Sequence, residues 1–377
     1  MTESVGGVLT DRDLRAAVSA EAIRAAAPLR DEQFQPASLD LRLGPVAYQL
    51  RASFLPYRET VEQRLTDERT NNDLVIDRVS LEGGATLQRG SVYLVPLLES
   101  LALPPAVRGR SNPKSTTGRL DVFTRLITDG TPRFDEIPAG YRGPLYLEVS
   151  PQSFPVRVYA GGSLNQLRLL EGPTSMSDAG LRALYAGEPL LYDDEDRPLP
   201  IARVGFNDGL CMGVDLSGRM TEGIIGYRAH PNPPAVDLAK IGHYDAAEFW
   251  EPIKATARDG YILEANRFYI LVSKERIRVP PAFAAEMVVY DAGAGEIRTH
   301  YAGFFDPGFG FGDGSVLGTK VVMEVRAREV PFMVYDGQTS FKVWFERLRG
   351  RPDRVYGVGL GSSYQHQTLS LSKHFRR

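Results

Sequence analysis

"LQRGSVYLVPLLESLALPPA", residues 87–106, returns later in the chain as "LEANRFYILVSKERIRVPPA", residues 263–282, with every position displaced by 176 and no gap. Leu87 falls on Leu263, Tyr93 on Tyr269, Glu99 on Glu275, and Pro104-Pro105 on Pro280-Pro281. The same displacement carries "LYLEV" onto "VVMEV", so that Glu148 falls on Glu324, and "FPVRVYAG" onto "VPFMVYDG". Upstream, "SLDLRLG" at 38–44 matches "GVDLSG" at 213–218 with a displacement of 175. Chance does not hold one offset across separate segments, and self-similarity at a fixed spacing marks a tandem duplication. The halves are expected at 1–172 and 173–377.

Each half opens on a short helical pattern, "LTDRDLRAAV" and "SMSDAGLRALYAG", with Thr10 and Ser177 in N-cap position. The rest is β in character. "SVYLVPL", "LYLEVS", "PVRVYA", "FYILVS", "KVVMEV" and "FMVYDG" are short runs of β-branched and aromatic residues, many of them alternating. With 37 glycines and 26 prolines between them, they read as a mainly β chain: two antiparallel barrel or jelly-roll repeats, each preceded by a short helix. The acidic stretch "YDDEDRPLP", residues 192–200, reads as a solvated loop.

The 377 residues are 43% hydrophobic and 24% charged, ordinary values for a soluble globular chain, and the net charge is −3. That balance argues against duplex nucleic acid or a membrane surface as partner, since both favour a basic excess. No run approaches the roughly 18 apolar residues of a membrane helix. No signal peptide is expected in "MTESVGGVLTDRDLRAAV". A single cysteine, Cys211, suits a reducing cytoplasm, cannot build a multi-cysteine zinc site, and is expected to be a small buried residue.

"RSNPKSTTGRLDV", residues 110–122, has the composition of a phosphate loop, but it is one residue short of the Walker spacing and has Pro113 before the lysine. A P-loop also needs a helix directly after the lysine, and "TTGRLDVFTRLI" is too rich in β-branched residues for one to be expected. An anion still fits: Lys114 and Arg119 supply charge, and Ser115, Thr116 and Thr117 supply hydroxyl donors. The ordinary alternative is a surface turn with incidental charge.

Four segments together resemble the dCTP deaminases, zinc-independent enzymes related to trimeric dUTPases. They are "LTDRDLRAAV", "FQPASLDLRLG", "KSTTGRLDV" followed by "GYRGPLYLEV", and the tail "SSYQHQTLSLSKHF". "QPASLDLRLG", residues 35–44, is the most specific match, and the duplicated layout resembles the long bacterial form. The resemblance implies a fold of two tandem dUTPase-like distorted barrels and a homo-oligomer. It also implies that Ser115 and Arg119 contact substrate and help place water near the pyrimidine ring. A glutamate then shuttles protons during attack on C4, and both Glu148 and Glu324 have the context for it; the ordinary alternative is a structural salt bridge. Tyr364 and Gln367 match the family's triphosphate-closing segment, with Ser363 where many members have lysine. Asp306 in "FFDPGFG" corresponds to a dUTPase aspartate that activates water, which keeps dUTPase or a bifunctional deaminase–dUTPase as the alternative. The counterpart of "KSTTGR" is "YDAGAGE", residues 290–296, without the cations or the serine and threonine hydroxyls. Two arrangements stay open: a composite site using Ser115, Arg119 and Glu324, slightly favoured, or a first-copy site with Glu148 catalytic and a neighbouring chain completing it.

Deaminating cytosine requires water attack at C4, protonation of N3 and loss of ammonia. Zinc deaminases carry H-x-E and P-C-x-x-C signatures, and the five histidines at 230, 243, 300, 366 and 374 do not pair at ligand spacing. The expected route is therefore zinc-free, with fixed donors placing the water and a carboxylate taking its proton. Mg2+ is expected to enter on the triphosphate of dCTP or dUTP. His300, His366 and the aromatics of "FFDPGFGFG" read as ordinary packing residues. A duplicated, non-catalytic nucleotide-binding protein is the further alternative.

Overall fold

The computed structural model describes residues 6–66, 74–256, 260–289, 297–299, 303–327, 329–357 and 364–376. The chain is mainly β, in several small and almost wholly antiparallel sheets. It packs as two compact units. The first takes Met1–Gly172 with Asn232–Tyr244 and His374–Arg377, and the second takes Pro173–Pro231 and Asp245–Lys373.

In the first unit one sheet runs Val122–Thr128, Arg142–Pro151, Val92–Ala102, Val46–Leu50, Val75–Ser80. A second runs Glu136–Ile137, Val107–Pro113, Asn165–Glu171, Ser38–Leu41, Phe34–Gln35. Side chains of a strand point alternately to its two faces, and both Val107–Pro113 and Val122–Thr128 begin with buried residues at every second position. The helix Asp11–Ser19 starts where Asp13 accepts hydrogen bonds from the Thr10 amide (2.9 Å) and hydroxyl (3.0 Å). It seats Leu14, fully buried, against Ile23, Phe34 and Leu39. Burying one leucine is worth about 1.5–3 kcal/mol, enough to dock a nine-residue helix that would not persist alone.

The second unit centres on the sheet Trp250–Lys254, Ile224–Ala229, Phe268–Ile277, Thr319–Ala327, Ile297–Thr299. Its helix Asp178–Gly187 is capped by Ser177, whose hydroxyl accepts from the Gly180 amide at 3.2 Å. The repeat seen in the sequence is retained in the register. Leu94 lies opposite Glu148 in the first unit, and Ile270 opposite Glu324 in the second. Val156 faces Leu87 as Phe332 faces Leu263. Even a side-chain bond recurs, Tyr93 hydroxyl accepting from the Gln88 amide (3.1 Å) and Tyr269 hydroxyl from the Glu264 amide (2.9 Å).

The buried charges have diverged. Glu99, fully buried, accepts from the Arg42 side chain (2.7 Å) and amide (2.7 Å), while Arg42 donates to the carbonyls of Ala27 and Pro28. In the second unit Ser217 stands at the arginine's place. Glu275 there accepts the Gly213 amide at 2.9 Å, and burial pushes its carboxyl up. Asp40 pairs with Lys114. Its mate Asp215 is held instead by Ser217 (2.6 Å), Lys320 (3.3 Å) and Lys274 (3.3 Å). Lys320 is itself buried and also pairs with Asp194 at 2.7 Å. The acidic stretch is exposed over 195–198, as a solvated loop is, but Asp194 turns inward because a buried ammonium needs a counter-charge. Cys211 is half-buried rather than buried, and that partial burial pushes its thiol up.

Burial works against the Asp215 carboxylate, but Ser217 and the two lysines bring it below its ordinary value. A carboxyl depressed in the folded state stabilises above its unfolded value and loses that contribution as pH falls through the folded one. Asp215→Asn should therefore lower stability at neutral pH and flatten the acid limb of a denaturation-against-pH profile. An acid limb as steep as that of the unsubstituted chain would contradict this.

Candidate active site

The strand Val107–Pro113 leads into the basic turn. Contrary to the expectation of no helix, Ser115–Gly118 forms one helical turn, closed by the Gly118 amide on the Lys114 carbonyl and the Arg119 amide on the Ser115 carbonyl, both 3.0 Å. It stops there because Asp121 takes a left-handed conformation, φ +53°, and the chain enters the strand Val122–Thr128. One local turn costs little even with β-branched residues, whereas a longer helix would pay their penalty repeatedly. Ser115 is exposed, Thr116 half-buried, and Thr117 and Arg119 are buried. Lys114 is not a free cation, since Asp40 on the strand Ser38–Leu41 takes its charge.

Glu148 sits in the middle of Arg142–Pro151. Cross-strand pairing aligns Arg125, Glu148, Leu94 and Tyr48 on one face across four strands. The side chain is 2% exposed. Its Oε1 accepts from Arg125 Nε at 2.8 Å and Nη2 at 2.5 Å, while Oε2 is buried with no hydrogen-bond partner among the described residues. Leu94, Leu50, Val61 and Ile127 form a small apolar cluster there, with Tyr48, Phe54, Phe134 and Tyr146 packed against it. Burial pushes the Tyr146 hydroxyl up to about 12. The arrangement can hold a charged carboxylate beside an apolar, aromatic surface with one oxygen available as acceptor.

Glu324 occupies the same register in the second unit and is also buried, at 4% exposure. Asp306 is buried at the head of the glycine-rich turn, its carbonyl accepting from the Phe309 amide at 3.0 Å. Gly310 in that turn has φ +64°, and a Cβ there would lie 2.0 Å from the Ile277 carbonyl oxygen, so only glycine fits. Phe305 and Phe309 pack in the core, as expected of turn aromatics, with ring centroids 4.9 Å apart. In the tail Tyr364 is buried, and the Gln367 amide donates to the Lys320 carbonyl at 2.8 Å. Gln365, which the motif comparison passed over, clamps the turn. It accepts from the Gly310 amide (3.2 Å) and donates to the Gly308 carbonyl (3.2 Å), and the Thr319 hydroxyl donates to its own carbonyl. His366 is exposed, while His300, Ser363 and 290–296 lie outside the described residues.

A family model described as the 2'-deoxycytidine 5'-triphosphate deaminase (DCD) N-terminal domain matches residues 5–173, and one described as the C-terminal domain matches 177–375. The chain belongs to the dCTP deaminase family. A crystal structure of 2'-deoxycytidine 5'-triphosphate deaminase from Agrobacterium tumefaciens is 43% identical, with a TM-score of 0.84 over 91% of this chain and 99% of that one. The "dCTP deaminase, dUMP-forming" of Sulfurihydrogenibium sp. (strain YO3AOP1) is 27% identical over 48% of this chain and 92% of its own length. That of Rhodococcus jostii (strain RHA1) is 32% identical over 43% and 80%. The two dUMP-forming relatives thus align with less than half of this dCTP deaminase family member, whereas the Agrobacterium structure matches nearly all of it.

Arg125 escaped the sequence reading because an arginine in an alternating strand looks like a solvent-facing residue. The available signal was its place in the strand after "KSTTGR", opposite the strand that carries Glu148. Among the described residues no group of three or more His, Cys, Asp or Glu side chains is placed to hold a metal ion. No described helix is long and apolar enough to cross a membrane.

Gln365→Ala removes two hydrogen bonds to the glycine-rich turn, at about 1 kcal/mol each. Amide hydrogen exchange across residues 306–315 should accelerate in this variant. Unchanged exchange there would show that the turn holds without the clamp.

Proposed function

We propose that this chain catalyses the hydrolytic deamination of dCTP to dUTP and ammonia, with Glu148 of the first repeat as proton carrier. The observation that carries the assignment is the Glu148 carboxylate, one oxygen held by Arg125 and the other buried beside aromatic side chains with no hydrogen-bond partner among the described residues. Water attacks C4 of the cytosine while Glu148 takes its proton. N3 is protonated, the bond from C4 to the amino nitrogen breaks, and ammonia leaves, so that dCTP and water yield dUTP and ammonia. The Ser115 hydroxyl and the Arg119 guanidinium orient the water and the base. Thr116, Thr117 and Lys114, once Asp40 yields it, serve the phosphates. Asp306, Tyr364 and Gln367 keep the nucleotide-binding role that the resemblance implies. Mg2+ travels on the triphosphate oxygens, and no zinc takes part. The proposal includes two dUTPase-like barrel repeats, 1–172 and 173–377, and a homo-oligomer.

A second reading has a specific support: the relatives from Sulfurihydrogenibium and Rhodococcus are named dUMP-forming. In that reading dUTP is hydrolysed further to dUMP and pyrophosphate.

Purified protein with dCTP and Mg2+, with and without a zinc-stripping chelator, is followed for ammonia and nucleotide products. Ammonia with dUTP, surviving chelation, is expected; dUMP in its place makes the enzyme bifunctional, and no turnover leaves a nucleotide-binding protein. Replacing the base should lower kcat by about 10²–10⁴-fold. Glu148→Gln should show that loss and Glu324→Gln should not. The reverse result would install Glu324 as the base.

A further inference from the structure

We infer that Arg125 is the positioning residue of the deamination site, fixing Glu148 so that one carboxylate oxygen stays free to take the proton of the attacking water; this rests on the reading of Glu148 as the base. An arginine facing a carboxylate ordinarily forms a fork, with two parallel N–H bonds to two oxygens. Here Nε and Nη2 both donate to Oε1, at 2.8 and 2.5 Å, and Oε2 is left buried without a partner among the described residues. An unsatisfied buried acceptor is costly and persists only where its surroundings enforce it.

The surroundings of Arg125 do enforce it. Its guanidinium carbon lies 3.7 Å from the centroid of Phe134 and 4.8 Å from that of Phe123, so two rings restrict the plane of the fork. Nη2 also donates to the Ser53 hydroxyl at 2.8 Å, which opposes rotation within that plane. Phe134 comes from the expanded connection between Val122–Thr128 and Arg142–Pro151. The first repeat's longer hairpin thus has a chemical use: it supplies the ring that locks the arginine. Thr299 faces Val325 in the second repeat as Thr124 faces Val149 in the first, and the residue after Thr299 in the sequence is His300 where Arg125 follows Thr124, so the first copy alone encodes the arginine there.

A group that orients a reacting side chain typically contributes about 10–100-fold. In the full-length enzyme, Arg125→Ala should lower kcat for dCTP by that factor of about 10–100 while KM changes less than about 3-fold. Millimolar guanidinium or methylguanidine should restore part of the lost rate, which loss of a merely structural contact would not allow. In a Glu148→Gln background, Arg125→Ala should cost nothing further, because the two act as one unit. Arg125→Lys keeps the charge without the fork and is expected to lose about 10-fold in kcat at an unchanged Tm, which carries the test if the alanine variant does not fold.

Wild-type kcat in Arg125→Lys or Arg125→Ala beside an inactive Glu148→Gln overturns the positioning role alone. So does an equal loss from Arg125→Ala with and without Glu148, or a folded Arg125→Ala that guanidinium does not rescue. Wild-type turnover in Glu148→Gln overturns the base assignment and the positioning role with it.

Discussion

A carboxylate in the middle of a β-sheet has lost its water, and its charge must be met by something the sheet itself supplies. In the first unit Arg125 meets it from the neighbouring strand, at the one register position where the two side chains share a face. That pairing requires Val122–Thr128 to run beside Arg142–Pro151. The chain therefore has to turn out of the basic segment within a single helical turn and return through a connection long enough to bring Phe134 back. The site geometry and the fold are in this sense one requirement.

Burial of charge also explains how the two copies have drifted apart while their strands have not. Leu94 with Glu148 and Ile270 with Glu324 hold one register because a slip by one residue would move every side chain of a strand to the opposite face of its sheet, and both faces are packed. Charged partners are freer, since any cation at the right depth will do. Asp40 takes Lys114 from the basic turn, and Asp215 takes Lys274 and Lys320 from two neighbouring strands. The second copy has in this way gathered two lysines on one aspartate, while the first holds Lys114 on Asp40 and buries Arg119.

Much was readable from the chain before any coordinates. The repeated offset anticipated the shared strand register, and Thr10 and Ser177 marked the starts of the two helices. The "KSTTGR" turn and the paired glutamates were likewise visible as chemistry. The one-turn helix at Ser115–Gly118 was not, because local propensity averages over longer windows than four residues. Nor were Asp194 against Lys320, Gln365 on the glycine turn, or Arg125 on Glu148, which are separated by 126, 55 and 23 residues.

Sequence alone thus determined the duplication, the β character and the residue types available for deamination, because periodicity and composition act within short stretches of chain. Tertiary structure decided which cation neutralises which carboxylate and which oxygen is left unbonded. Those choices depend on which strands become neighbours and at what register, and a buried charge takes whichever partner the fold brings within a few ångströms of it.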